Sequence, residues 1–379
     1  MVILLYTVDL FPGREFLMPW RTIVEVAQYL LKQGNEVSIV NGCHDKRKDN
    51  GVNWYGVPVI NIESGWDNLA HYANKKHAEF LFVPVTWRDG LKSFLPFKDL
   101  KCRKISYLSG GVYNLSNVLS LARYGTFKEA LPYLLECVVP KKLLAYKLKK
   151  SGFDTTIGLT EYTFRVAGNH GMPNPRCVYP GNDTFNELVP DNSIIERYNL
   201  VGKKWMLFTG STASIRGASL VVKAVDMLKS NILVVMLIRA DIGTNIDAIN
   251  EQIGNMRHPE RIILITDKLS RKQLRGFFGA AWYGILPFLC IPSEVPLTYF
   301  ELLSCGTPVV SFQNGGTTDY LKEALYLSRN GVKNLSKALE NCWHNNDERT
   351  KRSIVGVNIM GNHLTWEKIS TMWEQISVK

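Results

Sequence analysis

The sequence has no apolar run as long as the roughly 18–20 residues that a membrane-spanning helix needs. Its seven cysteines (Cys43, Cys102, Cys137, Cys177, Cys290, Cys305 and Cys342) are odd in number, scattered and without a CxxC pair. That excludes a disulfide framework and a paired-cysteine zinc site, and it fits a reducing cytoplasm. No DxD or other carboxylate cluster has metal-ligand spacing, and Asp45 and Asp49 sit among Lys and Arg. No metal and no cofactor are therefore expected. The opening stretch, MVILLYTV, lacks a basic leader and a small-residue cleavage site, so it reads as a buried strand and not as a signal peptide. With 46% apolar and 21% charged residues, the chain is not of disordered, collagen or coiled-coil composition.

Positive charge is present, and it is concentrated. Between Lys92 and Lys150 there are twelve Lys/Arg against three acids (Asp99, Glu129 and Glu136), a local net of +9 within a total of +11. Such a stretch is either a solvated face or a seat for a phosphate-rich partner. Residues 131–150, LPYLLECVVPKKLLAYKLKK, mix apolar side chains with five lysines, which makes an anionic membrane surface a candidate partner. No nucleic-acid recognition motif accompanies the charge, and no nucleic-acid partner is expected.

The length allows two domains. Strand-like segments at 2–8, 36–42, 79–85, 104–109 and 155–160 are interleaved with helical periodicity at 21–33, at 117–150 with breaks at Gly125 and Pro132, and after 160. A second series runs through strands 205–210, 232–239, 261–266, 282–288 and 307–312, with helices between them. The pattern predicts an α/β protein of two Rossmann-like, doubly wound domains facing across a cleft. The expected division is a first domain at 1–189, a second at 190–360 and a terminal helix at 361–379. Ligands of such sheets bind beyond the carboxyl ends of the strands.

The richest stretch is Ile291–Gly316, IPSEVPLTYFELLSCGTPVVSFQNGG. Its Pro-rich loop opens a helix whose unpaired N–H groups suit a diphosphate, and Glu294 and Glu301 can take sugar hydroxyls. Upstream, Gly210-Ser211-Thr-Ala-Ser-Ile-Arg216-Gly217 joins a strand to a helix through small residues and a cation. Arg239 ends the neighbouring strand.

Together these pieces resemble the donor site of retaining glycosyltransferases of family 4, the group 1 glycosyl transferases, which have the GT-B fold. Glu301-Leu-Leu-Ser-Cys305-Gly306-Thr-Pro308-Val-Val matches the second half of their Glu-x7-Glu signature. Ser293 stands at the first Glu, and Glu294 is one residue closer. Arg216 stands where relatives carry Lys, and Ser211 where they carry Arg. Thr160-Glu-Tyr162 and Tyr179-Pro-Gly181-Asn-Asp183 resemble the end of the family's first domain, where Asp183 is expected at the hinge. Leu364–Trp373 resembles its last helix, which crosses back. Relatives often have a His after the strand at 104–109; here Ser109-Gly110-Gly111 stands in its place.

The resemblance implies transfer of a hexosyl group from a nucleoside-diphosphate sugar, with retention, to a saccharide or lipid-linked saccharide. It places Arg216, Glu294 and Ser109 in catalysis. Donor binding falls to Gly210, Ser211, Arg216, Gly217, Arg239, Ser293, Glu294, Pro296, Leu297, Thr298 and Glu301. Acceptor contacts are expected from Arg14, Trp87, Gly110 and Gly111. The enzyme is expected in the cytoplasm, where its basic segment can attach it peripherally to the inner face of the membrane. The alternatives are a sugar-nucleotide-binding scaffold and an epimerase of the same fold.

Overall fold

The computed structural model describes residues 1–43, 52–54, 56–183, 185–239 and 245–378. His44, Asp45 and Asp49 lie outside them. The first domain holds β1 (Val2–Val8), β2 (Glu36–Cys43), β3 (Val52–Trp54), β4 (Val57–Glu63), β5 (Phe80–Val85), β6 (Arg103–Leu108), β7 (Phe153–Gly158) and β8 (Pro175–Cys177). They form one sheet in the order β3-β4-β2-β1-β5-β6-β7-β8, parallel except for the edge pair β3–β4. The second domain holds β9 (Met206–Gly210), β10 (Val234–Ile238), β11 (Ile262–Ile265), β12 (Gly284–Leu286), β13 (Val309–Phe312) and β14 (Leu325–Ser328), in the parallel order β11-β10-β9-β12-β13-β14. The expected α/β class with two doubly wound sheets is what the chain adopts.

Central strands such as VILLYTV and VVMLI are near-continuous apolar runs because helices cover both faces of each sheet. Helix Trp20–Lys32 buries Ile23, Val24, Val26, Ala27 and Leu30 on one stripe. The last helix, Trp366–Val378, packs back on Trp20–Lys32. Its Trp373 is fully buried in the first domain's core, 5.3 Å from Phe82 and 5.4 Å from Tyr107 between ring centroids.

The helical stretch after β6 divides differently from the expectation. Gly125 does end the first helix, Leu115–Tyr124. Pro132 does not end the second, Phe127–Val138; the next break is at Pro140, before Lys141–Lys150. The carbonyl that Pro132 leaves unpaired belongs to exposed Lys128, where water can take it. The Thr126–Glu129 capping box secures the helix start. In Lys141–Lys150, Leu144, Ala145 and Leu148 are buried in the first domain's core, and Lys142, Tyr146, Lys149 and Lys150 face outward. Among the described residues no helix is long and apolar enough to cross a membrane.

Candidate active site

The loop after β9 is shaped by one glycine. Gly217 has φ +79°, and a Cβ there would lie 2.6 Å from the carbonyl oxygen of Pro287. No other residue lets the turn pass so close to the end of β12. The preceding short turn, Ser214–Arg216, is held by a hydrogen bond from the Leu289 N–H to the Ile215 carbonyl. Arg216 is thereby set with its guanidinium 4.6 Å from the centre of the Phe288 ring. Ser211 is half-buried beside it, and the backbone N–H of Arg239 donates to Gly210, so Arg239 starts from the same edge with an exposed side chain.

The second wall is the stretch from Ile291 to helix Leu297–Ser304. Pro296 caps that helix without a side-chain acceptor, so its first N–H groups have no cap; Leu297 and Thr298 form the half-buried first turn. Val295 is held at φ +53°, a strained conformation for a β-branched residue, with its N–H on Thr317 Oγ1 at 2.8 Å. This kink turns Glu294 inward. Ser293 and Glu294 are both buried, and Ser293 Oγ has no hydrogen-bond partner among the described residues.

Glu294 and Glu301 face different surroundings. Thr160 Oγ1, the cap of the first domain's helix Glu161–Asn169, donates to Glu294 Oε2 at 2.6 Å. Oε1 has no well-directed partner among the described residues. Burial raises the Glu294 carboxyl above its usual range, while Thr160, Thr163 and the N–H groups of Gly316 and Val112 pull it down. A Cβ on Gly316 would lie 2.7 Å from Oε1, so that glycine makes room for the carboxylate. Glu301 is half-buried in the helix, and burial together with the Asp183 carboxylate pushes it up to about 7 against the pull of Arg271 and Arg21. Asp183 accepts from Arg21 at 3.1 Å, Trp366 Nε1 at 2.7 Å and Arg271 at 3.2 Å. It thus ties the first helix, the last helix and the second domain at the crossover.

The two domains meet over a cavity of about 10 Å³, lined by Gly111, Val112, Tyr113, Ile291, Glu294 and Asn314–Thr317. That is room for about one water. A Cβ on Gly111 would approach the Ile291 carbonyl to 3.3 Å, and Gly110 packs on Thr86. Ser109 stands at the end of β6 with its N–H on the Val85 carbonyl. This space is too small to hold a hexose.

On the first domain, Arg14 donates to the Asp9 carbonyl at 3.0 Å and stacks on Phe11 and Trp20, at the carboxyl end of β1. The acceptor role expected of Trp87 is corrected: its side chain is fully buried in the first domain's core, with Lys141 Nζ 5.5 Å from its ring. The Thr86–Asp89 capping box turns the indole inward. Sequence reasoning passed over Thr160 as a partner of Glu294. It also passed over His363, whose ring bridges Tyr320 Oη and the Pro180 carbonyl, each at 2.7 Å. No local motif shows either pairing, because Glu294 lies 134 residues from Thr160 and Tyr320 lies 43 from His363. Among the described residues no group of His, Cys, Asp and Glu is placed to hold a metal ion.

Residues 191–356 match the family model described as glycosyl transferases group 1. This second domain is a group 1 glycosyl transferase domain. Because the match spans both walls of the donor-side loops, the chain is a glycosyltransferase. No curated protein matches it by sequence. Among solved structures, the glycosyltransferase is similar to sucrose-phosphate synthase from Thermosynechococcus elongatus, with 13% identity, a TM-score of 0.75, and coverage of 99% of this chain and 98% of that one. It is also similar to Anabaena HepE in complex with UDP and glucose, with 12% identity, a TM-score of 0.70 and full coverage of both chains. A third is WaaG, a glycosyltransferase involved in lipopolysaccharide biosynthesis, with 13% identity, a TM-score of 0.64, and coverage of 100% and 98%. At these identities the likeness is one of fold, and the fold is GT-B.

Proposed function

We propose that this glycosyltransferase moves a hexosyl group from a nucleoside-diphosphate sugar to a hydroxyl of a saccharide or lipid-linked saccharide, with retention at the anomeric carbon. The observation that carries the reading is Arg216, seated on Phe288 at the carboxyl end of the second sheet, where a leaving diphosphate would gather charge. Arg239 and the uncapped start of helix Leu297–Ser304 add positive potential beside it. Glu301 takes the ribose hydroxyls. Glu294, through its unpartnered Oε1, takes a hydroxyl of the transferred sugar. Ser109, Gly110 and Gly111 border the sugar from the first domain, and Arg14 meets the acceptor.

Among the described residues lining the cavity, Glu294 is the one carboxylate, and Thr160 already engages it. Retention then runs on the leaving group itself. The bond from the anomeric carbon to the phosphate oxygen breaks, the acceptor oxygen bonds on the same face, and its proton passes to the departing phosphate. The positive charges of Arg216 and Arg239 suit the diphosphate without a divalent ion.

The acceptor's lipid link is supported by the surface. Leu91 and Leu95 protrude beside Lys92, whose carbonyl accepts from Lys147 Nζ at 2.7 Å, and Tyr146, Lys149 and Lys150 continue the patch. Apolar tips among lysines suit the inner face of an anionic membrane. Sedimentation with phosphatidylglycerol vesicles at low salt should capture the protein, and Leu91→Asp with Leu95→Asp should release it.

The deciding experiment is a thermal-shift screen with UDP, GDP, ADP and their sugar conjugates, with and without EDTA. A ligand at about 100 times its Kd adds about 2.7 kcal/mol. A base-selective, EDTA-insensitive shift that Arg216→Ala abolishes supports the reading. No shift with any nucleotide overturns it and leaves a scaffold.

A further inference from the structure

The helical hairpin of the first domain, Leu115–Tyr124 and Phe127–Val138, does not stay on its own domain. Val118, Leu121 and Ala130 are buried in one cluster with Met206, Phe208 and Ala218 of the second. The hairpin touches the loops after β9, β13 and β14. We infer that this hairpin positions Arg216, so that the diphosphate-binding cation is set in place only when the two domains are closed. The inference rests on the donor site proposed above.

Two grips carry it. The first holds the turn that bears Arg216. Glu129 Oε2 accepts from the Thr126 N–H at 2.9 Å and caps its own helix, while Oε1 accepts from Ser214 Oγ at 3.3 Å. Gly125 lies so close that a Cβ would come within 2.7 Å of Ser214 Cβ. The second grip holds the ring under the guanidinium. Buried Asn117 donates to the Gln313 carbonyl at 2.8 Å and to Asn314 Oδ1 at 2.7 Å. The Asn314 amide in turn donates to the carbonyl of Phe288, whose ring supports Arg216. Asn117 Oδ1 accepts from Asn330 at 3.0 Å, so its amide is used on both sides.

Tyr133, on the same hairpin, lies within the field of Arg216. A guanidinium held at its loop and at its platform meets the phosphate without being ordered during the reaction. With the hairpin withdrawn, that ordering must accompany binding.

The test compares nucleoside diphosphates with monophosphates, since the second phosphate is what Arg216 serves. Calorimetric titration would use UDP, GDP and ADP beside UMP, GMP and AMP. Asn117→Ala should weaken the diphosphate that binds by about tenfold, with its monophosphate changed less than twofold. Ser214→Ala, at a half-exposed position, should weaken the same diphosphate by about threefold and serves if Asn117→Ala does not fold. In an Arg216→Ala background neither change should have further effect. Equal weakening of both nucleotides, or a loss that persists without Arg216, overturns the positioning role and leaves the donor site standing. If the wild-type protein binds none of the six, the donor-site reading falls, and this inference with it.

Discussion

At the carboxyl edge of the second sheet, the loops gather Arg216 on its ring, the uncapped start of Leu297–Ser304 and the buried Glu294 carboxylate. At the same edge of the first sheet, the loops are closed on themselves. Buried Asn41 accepts from the Leu10 N–H at 2.9 Å and donates to its carbonyl at 2.8 Å. Arg14 is laid on Phe11 and Trp20, and Thr86 and Asp89 cap each other. The second domain's edge, the proposed donor half, is thus built from backbone geometry and fixed charge. The first domain's edge, the proposed acceptor half, is a rim whose side chains pair largely with one another. The two halves meet at Thr160–Glu294 and at the hairpin.

The comparison breaks most readily at Arg216. Arg216→Ala should lower turnover by roughly 100–1000-fold, read in a product assay with the donor that the thermal screen selects. An unchanged turnover would remove the donor half's defining charge.

Next comes the seam. Thr160→Val leaves a buried carboxylate without its main donor, which costs about 1.5–3 kcal/mol. Chemical denaturation should show that loss, and Glu294→Gln in the same background should recover part of it. If Thr160→Val is neutral, Glu294 is held by the second domain alone.

Glu301 sharpens the donor half through pH. Its folded carboxyl titrates at about 7, above its ordinary value near 4.5. The folded state therefore holds the proton more tightly than the unfolded one. Stability should fall as pH rises from about 4.5 to 7 and level off above that. Glu301→Gln should flatten this fall in melting temperature. The ionised form is the stronger acceptor for ribose hydroxyls, so nucleotide affinity should rise by up to about tenfold from pH 6 to 8 in the wild type and not in Glu301→Gln. An affinity independent of pH in both would move Glu301 out of the donor site.

The smallest effect belongs to the rim. Arg14→Ala should raise the acceptor KM by about five- to tenfold and leave nucleotide affinity unchanged, since its stacked guanidinium faces the first domain's edge. Equal effects on donor and acceptor would mean that the rim shapes the whole cleft. Trp87→Phe, by contrast, should change melting temperature and not KM, because the indole is core.

The α/β class and the donor-side loops were legible because they rest on local rules. Apolar runs bounded by turns give strands, and Gly217 between a strand and a helix marks a close approach. The edge strands β3 and β14 escaped notice, as did β4 and helix Trp66–Lys75, which were not read from the sequence. Trp87 misled because an aromatic after a strand looks the same in sequence whether its cap turns it outward or inward.

Chain order alone carried the backbone's turns, the buried faces and the identity of the cations, since each depends on neighbours within a few residues. It did not carry the partnerships across the cleft. Thr160 with Glu294, Asn117 with Asn314, Glu129 with Ser214 and Asp183 with Arg271 each join residues that are distant in the chain. Such pairs form only once two separately specified sheets are packed face to face. Burial in that packing, which no local pattern encodes, then sets how Glu294 and Glu301 hold their protons.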